Sequence, residues 1–322
     1  MSAPVVSGAP LSIVFFGTPE FAVPTLDALH ASRHQVVAVV TQPDRPRGRG
    51  QRTTAAPVKA RARAAGVLVL QPEHMRDPAF LDGLQALHAD LGVVAAYGKI
   101  LTDAVLAAPR LGLINVHTSL LPKYRGAAPV HRAVVAGEHG TGVTIMRVVK
   151  ALDAGPMLAT ARRPISADET SDDVERDLAR IGAALLLTSV DALARGPVQE
   201  TPQDDAAASY AHRLTKEDGV IDWGHSAEQI HNRIRGLHPW PHAFTLWRGQ
   251  RLIVLRSAVL DEPSDLAPGT LLESAADRLV VATGRGRLAV LQLQAEGKRA
   301  MQTRDFLAGH ALMMGDRLSA TR

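Results

Sequence analysis

Three polar residues carry the chemistry open to this sequence. They are Asn115 and His117 in Leu113-Ile114-Asn115-Val116-His117, and Asp153 in Ala151-Leu152-Asp153-Ala154-Gly155. On a strand, residues two apart point to the same face, so Asn115 and His117 share one while Ile114 and Val116 take the other. An amide donor beside an imidazole can stabilise a developing oxyanion and move a proton, the two requirements of acyl transfer. A carboxylate at Asp153, just past the next strand, would orient the imidazole and favour its charged form. Each residue also has a plainer use. An isolated Asn-x-His can satisfy loop backbone groups, and an Asp before Ala-Gly is a common turn residue.

Such a site needs several strands that end together. Residues 12–16, 35–41, 67–70, 91–95, 112–117 and 142–149 form short runs rich in Val, Ile and Leu. Between them, 21–30, 55–65, 78–87 and 127–136 have helical patterns. This alternation predicts an α/β, Rossmann-like domain with a mostly parallel sheet covered on both faces, whose ligands bind beyond the carboxyl ends of the strands. Capping residues and acids at 168–173 open a long amphipathic helix over 172–194. Gly196-Pro197 breaks it, and 199–209 reads as an exposed polar linker. After a helix at 226–237, short strands at 243–247, 251–259, 269–272, 278–282 and 288–294 predict a small OB-like β-barrel. The 322 residues thus divide into a catalytic domain at 1–195, a linker at 196–212 and a barrel domain at 213–322.

Several function classes are excluded. There are no cysteines, so disulfides, thiolate nucleophiles, zinc ribbons and iron–sulfur clusters are ruled out. The first strand leads into Gly17-Thr18-Pro19-Glu20-Phe21 with one glycine, where a dinucleotide fingerprint needs three, and no Walker A sequence occurs. His238 and His242 are separated by Pro239 and Pro241, which forbid the helix that would align them as metal ligands. No metal is expected. No segment approaches the roughly 18 apolar residues of a membrane span, and residues 1–10 lack the pattern of a secretory signal. The expected compartment is the cytoplasm.

The net charge of +4 conceals a segregation. Residues 42–63 hold six Arg and one Lys against one Asp; 164–205 hold ten acids against three Arg; 278–322 hold eight basic residues against three acidic. Two basic regions divided by an acidic one suit a polyanion, although charge runs also serve simply as solvated faces. Arg45, Arg47, Arg49 and Arg52, mixed with Gly and Pro, form a loop suited to phosphate contacts. Trp223, Trp240, Phe244 and Trp247 could stack on bases, but in a chain with 4% aromatic residues they are expected in the core.

The whole chain resembles the methionyl-tRNA formyltransferase family. The resemblance is carried by Phe16-Gly17-Thr18-Pro19-Glu20-Phe21, Thr41-Gln42-Pro43-Asp44-Arg45-Pro46, Ala95-Ala96-Tyr97-Gly98, the 115–129 stretch, and Leu152-Asp153-Ala154-Gly155. In the C-terminal part it continues through Ile221-Asp222-Trp223, Ile234-Arg235-Gly236-Leu237 and Pro239-Trp240-Pro241. Asn-x-His with a downstream Asp is common to formyltransferases that use 10-formyltetrahydrofolate. The Gln-Pro-Asp-Arg-Pro loop and the C-terminal domain narrow the resemblance to the tRNA enzymes.

The resemblance implies that Asn115, His117 and Asp153 are the catalytic trio. It implies that Ser119, Leu120, Leu121 and Pro122 hold the folate, that Arg49 and its loop contact the tRNA acceptor end, and that the barrel domain binds tRNA. The substrates would be 10-formyltetrahydrofolate and initiator methionyl-tRNA, with no protein partner. Thr118, Ala151, Ala154 and Pro156 depart from the family pattern, leaving the trio intact. The rival readings are a formyltransferase for a nucleotide-linked amino sugar, one for glycinamide ribonucleotide, and a non-catalytic tRNA-binding protein. The arginine loop and second domain oppose the first two, and the intact trio opposes the third.

Overall fold

In the computed structural model, residues 8–44, 46–47 and 52–320 are described. The chain runs through β1 (Ser12–Gly17), α1 (Val23–His30), β2 (Gln35–Val40), the short pair β3 (Pro46–Arg47) and β4 (Arg52–Thr53), α2 (Pro57–Ala64), β5 (Leu68–Leu70) and α3 (Pro78–Ala86). It continues through β6 (Leu91–Ala95), α4 (Asp103–Ala107), β7 (Leu113–His117), β8 (Arg125–Gly126), α5 (Pro129–Val135), β9 (Gly140–Arg147), β10 (Met157–Pro164), α6 (Ser171–Arg195) and β11 (Tyr210–Ala211). The remainder is α7 (Ala227–Gly236), β12 (Ala243–Trp247), β13 (Gln250–Leu260), β14 (Leu271–Ala275), β15 (Arg278–Ala282), β16 (Arg287–Ala295), β17 (Met301–Gln302) and α8 (Thr303–Gly309). Two compact units result. One comprises Met1–Pro129, Thr141–Arg163 and Glu175–Ala211; the other comprises Val130–Gly140, Pro164–Val174 and His212–Arg322.

The first unit is built on a seven-stranded sheet in the order β10-β9-β7-β6-β1-β2-β5. Strands β5, β2, β1, β6 and β7 are parallel, as the apolar runs predict, and β9 is antiparallel to β7. Ile13, Val14, Phe15 and Phe16 are all fully buried. That absence of alternation is what a strand covered on both faces requires. The chain fills one side of the sheet through β2 and β5, then returns to lay β6 and β7 on the other side of β1. Connections leaving β1 and β6 therefore diverge, the arrangement that in open α/β sheets directs ligands to the carboxyl ends of the strands. Ile114 and Val116 face α6, which approaches closely at Gly182: a Cβ there would lie 2.8 Å from Val116 Cγ1.

The outer strand β10 escapes sequence reading because Met-Leu-Ala-Thr-Ala-Arg-Arg-Pro contains no apolar run. It lies at the sheet edge, where one side faces water. Helices α4 and α8 have five and seven residues, too few to establish a 3.6-residue period.

The second unit is an antiparallel sheet in the order β12-β13-β16-β15-β14, with β17 added to β16. The backbone near residue 318 joins its two edges. Leu246 and Ser319 exchange hydrogen bonds of 2.8 and 3.0 Å, Leu318 N donates to Gly269 O at 2.9 Å, and Leu271 N donates to Asp316 O at 2.9 Å. The β12 and β14 edges are thereby joined, and the sheet closes into the expected small barrel. Ser226 and Gln229 form a capping box at the start of α7. Ile230 and Ile234 on this helix pack with Trp223, Val254, Leu288 and Phe306 in one core. Of the aromatics expected in the core, Trp223 is buried with its Nε1 donating to Thr245 Oγ1 at 3.0 Å, whereas Trp240 is 49% exposed.

Burial lowers the pKa of three histidines in this unit: His131, to about 4, and His238 and His242. A histidine that binds its proton more weakly folded than unfolded contributes stability above the unfolded pKa, and loses it as pH falls toward the folded one. The unfolding midpoint in urea should therefore decline from about pH 6.5 downward, before carboxylates protonate near pH 4. All three tryptophans lie in this unit, so tryptophan fluorescence reports on it. A midpoint that stays flat between pH 7 and 5 would contradict this.

Candidate active site

Asn115 and His117 stand on the same face of β7, at the carboxyl end of the parallel strands. Asn115 lies opposite Val94 of β6 and Met146 of β9. It is partly exposed, and among the described residues its amide has no hydrogen-bond partner. His117 is 5% exposed, and its Nε2 lies 3.0 Å from the carbonyl oxygen of Tyr124. A carbonyl can only accept, so this bond places a hydrogen on Nε2 and makes Nδ1 the nitrogen where a proton can come and go. Nδ1 lies 3.7 Å from Asp153 Oδ2. His117 thus satisfies a loop carbonyl with one nitrogen and turns the other toward Asp153.

Asp153 adopts φ +46°, a left-handed conformation rare for a residue with a side chain. Its Oδ2 accepts a hydrogen bond of 2.8 Å from Gly126 N. Gly126 itself has φ +119°, and a Cβ there would lie 2.8 Å from Ala211 O, so β8 and β11 can pair only through a glycine.

The segment expected to be a linker is hydrogen-bonded to these loops. Ser209 Oγ accepts from Tyr124 N at 2.9 Å, Ser209 O accepts from Arg125 N at 2.8 Å, and Ser209 N donates to Pro122 O at 3.3 Å. Thr201 and Met157 exchange backbone bonds of 2.8 Å. Gln203 Nε2 donates to Asp153 O at 2.8 Å and to Gly155 O at 2.7 Å, while its Oε1 accepts from Arg125 Nε and Nη2 at 3.0 and 2.8 Å. Sequence reading singled out none of Tyr124, Arg125, Gln203 and Ser209 for a role. Arg125 lies in a motif-bearing stretch that could have flagged it; a glutamine in a polar run carries no comparable signal.

Among the residues the resemblance assigns to folate, Ser119 is fully buried and its Oγ donates to Lys123 O at 2.6 Å. Leu121 is buried, and its N–H donates to Thr144 Oγ1 at 3.2 Å, which in turn donates to Ser119 O at 2.7 Å. Leu120 and Pro122 are partly exposed. Ser119 and Leu121 therefore shape the loop from within, and Leu120 and Pro122 are the two with surface for a ligand.

In the arginine loop, Arg45 and Arg49 lie outside the described residues. Arg47 and Arg52 face one another across the β3–β4 backbone pair. The preceding Gln42-Pro43-Asp44 is anchored firmly. Gln42 Nε2 donates to Tyr97 O at 2.7 Å, Gln71 Nε2 donates to Gln42 O at 2.9 Å, and Asp44 pairs with the buried Lys59. The Lys59 ammonium and the Gln71 amide hold the Asp44 carboxyl below its ordinary pKa.

Residues 11–190 match the formyl transferase family, and residues 213–311 match the formyl transferase C-terminal domain. The chain is 48% identical over 311 residues to methionyl-tRNA formyltransferase of Roseiflexus sp. (strain RS-1), covering 96% of this chain and 95% of that one. It is 46% identical over 305 residues to the enzyme of that name from Citrifermentans bemidjiense, covering 95% of each. The chain belongs to the methionyl-tRNA formyltransferase family. Its fold also resembles an N-formyltransferase from Helicobacter canadensis solved with folinic acid and dTDP-3-aminofucose, at TM-score 0.67 and 17% identity, covering 89% of this chain and 99% of that one. At that identity the likeness concerns the fold alone.

The 119–122 loop of this family member depends on one hydroxyl. Thr144→Val, which keeps the shape, leaves Ser119 O and Leu121 N buried without a partner. It should cost about 1–3 kcal/mol, read from urea unfolding. Unchanged stability would show that the loop does not depend on the Thr144 hydroxyl.

Proposed function

We propose that this protein transfers the formyl group of 10-formyltetrahydrofolate to the α-amino group of initiator methionyl-tRNA, in the cytoplasm, for translation initiation. The observation that carries this reading is the free Asn115 amide standing beside a histidine whose Nε2 is already committed and whose Nδ1 faces Asp153. Relatives at 44–48% identity over at least 95% of their own length bear the same activity in their names, which favours the tRNA acceptor over an amino sugar.

The formyl donor supplies an electrophilic carbon. Attack by the neutral amine forms the new C–N bond and a tetrahedral oxyanion, and cleavage of the old C–N bond releases tetrahydrofolate. Asn115 donates a hydrogen bond to the oxyanion, and His117 donates through Nδ1 when that atom carries a proton. Asp153 Oδ2 is engaged by Gly126 N, and Oδ1 has no hydrogen-bond partner among the described residues. It takes the proton from the attacking ammonium and passes it to the leaving nitrogen, directly or through a water. Leu120 and Pro122 form an apolar wall for the folate. We assign catalysis to residues 1–195 and tRNA binding to the arginine loop and residues 213–322, with 196–212 between them. Among the described residues no helix is long and apolar enough to cross a membrane.

Asn115→Ala should lower kcat by about 10²–10³-fold, the usual effect of removing one oxyanion donor, with little change in the thermal unfolding midpoint. Turnover at the wild-type rate would refute this role. Replacing Arg45, Arg47, Arg49 and Arg52 by Ala should flatten the dependence of log K for tRNA on log salt, by about 0.7–0.9 for each phosphate that the loop neutralises. An unchanged slope would remove the loop from the tRNA interface.

A further inference from the structure

Gln203 lies between the two family matches, which end at residue 190 and begin at residue 213. We propose that Gln203 is a positioning residue for formyl transfer, holding Asp153 at its working distance from His117. The inference rests on the activity proposed above.

The side-chain amide of glutamine has two hydrogens to donate and two lone pairs to accept with. Gln203 uses all four: toward Asp153 O, toward Gly155 O, and from two nitrogens of Arg125. Such saturation fixes the amide plane in both directions. Its far anchor is rigid, because Arg125 is 3% exposed and its Nη2 also donates to Asp205 Oδ1 at 2.7 Å. Arg125 adjoins both Tyr124, whose carbonyl takes the His117 Nε2 hydrogen, and Gly126, whose N–H holds the Asp153 carboxylate. One short stretch of backbone therefore sets the histidine and the carboxylate end of the aspartate. Gln203 ties the main chain of that aspartate to the same stretch.

Asp153 needs such restraint. A non-glycine residue in the left-handed region persists only where its surroundings over-determine it, and Asp153 has φ +46°. The Nδ1–Oδ2 distance of 3.7 Å is longer than a hydrogen bond. A displacement of the 151–155 loop by a fraction of an ångström thus decides whether the two groups meet. Misplacement of a catalytic group by about 1 Å can cost 10²-fold in rate.

Gln203→Glu separates positioning from scaffolding. It keeps the length of the side chain and its acceptor contacts with Arg125, but a carboxylate cannot donate to the two carbonyls. Gln203→Met, of similar length and uncharged, removes all four bonds and serves if the glutamate variant does not fold. Steady-state formyl transfer from 10-formyltetrahydrofolate to methionyl-tRNA should show kcat reduced about 10–100-fold. KM for each substrate should stay within about threefold and the melting temperature within a few degrees, the pattern expected when only transition-state stabilisation is impaired. A kcat within about twofold of wild type in a folded variant overturns the proposal. So does a raised KM at unchanged kcat, which would make Gln203 a substrate contact, or a rate loss that merely tracks the unfolded fraction in both variants. If wild-type protein transfers no formyl group, the activity itself is refuted and this inference falls with it.

Discussion

His117 donates its Nε2 hydrogen to the carbonyl oxygen of Tyr124, and that bond determines which ring nitrogen faces Asp153. A neutral imidazole has one donor and one acceptor. With the donor committed to the backbone, the acceptor Nδ1 is turned toward Asp153. Tyr124 can present its carbonyl there because its own N–H is taken by Ser209 and the following residue pairs with the 209–211 backbone. The tautomer of a strand residue is thus set by a segment more than eighty positions away in the chain.

The sheet supplies the fixed frame. Parallel strands buried on both faces are held in register by close side-chain packing on each side as well as by their hydrogen bonds, so the strand ends at Gly17, Ala95 and His117 are set by the core. The loops above that edge are held by polar contacts instead. They include Thr144 between Ser119 and Leu121, the pairing of Asp44 with Lys59 near the arginine loop, and Gln203 with Arg125 around Asp153. Asn115, His117 and Asp153 stand where the two kinds of restraint meet, at strand ends fixed by the core and beside loops tied by hydrogen bonds.

Much of this is legible in the residues themselves. The parallel strands could be read because burial on both faces demands uninterrupted Val, Ile and Leu. Asn115 and His117 could be assigned a common face because side-chain direction along a strand depends only on spacing. Strand β10 could not, because an edge strand needs no apolar run. The role of 199–211 was invisible for a different reason: a polar, Pro-containing segment looks the same whether its side chains meet water or each other.

Composition and spacing by themselves determined the α/β unit, the short-stranded second unit, the pairing of an amide with an imidazole, and the exclusion of thiolate chemistry. These follow from local periodicity and from which functional groups the chain possesses. Only the tertiary structure decided which nitrogen of His117 faces Asp153, that Asp153 is held in a left-handed turn beside it, that the barrel closes through residues 316–319, and that Gln203 joins the loops. Each of these depends on which donor reaches which acceptor across long separations in the chain, and hydrogen-bond partners are chosen by distance in space, which no residue's neighbours in sequence can specify.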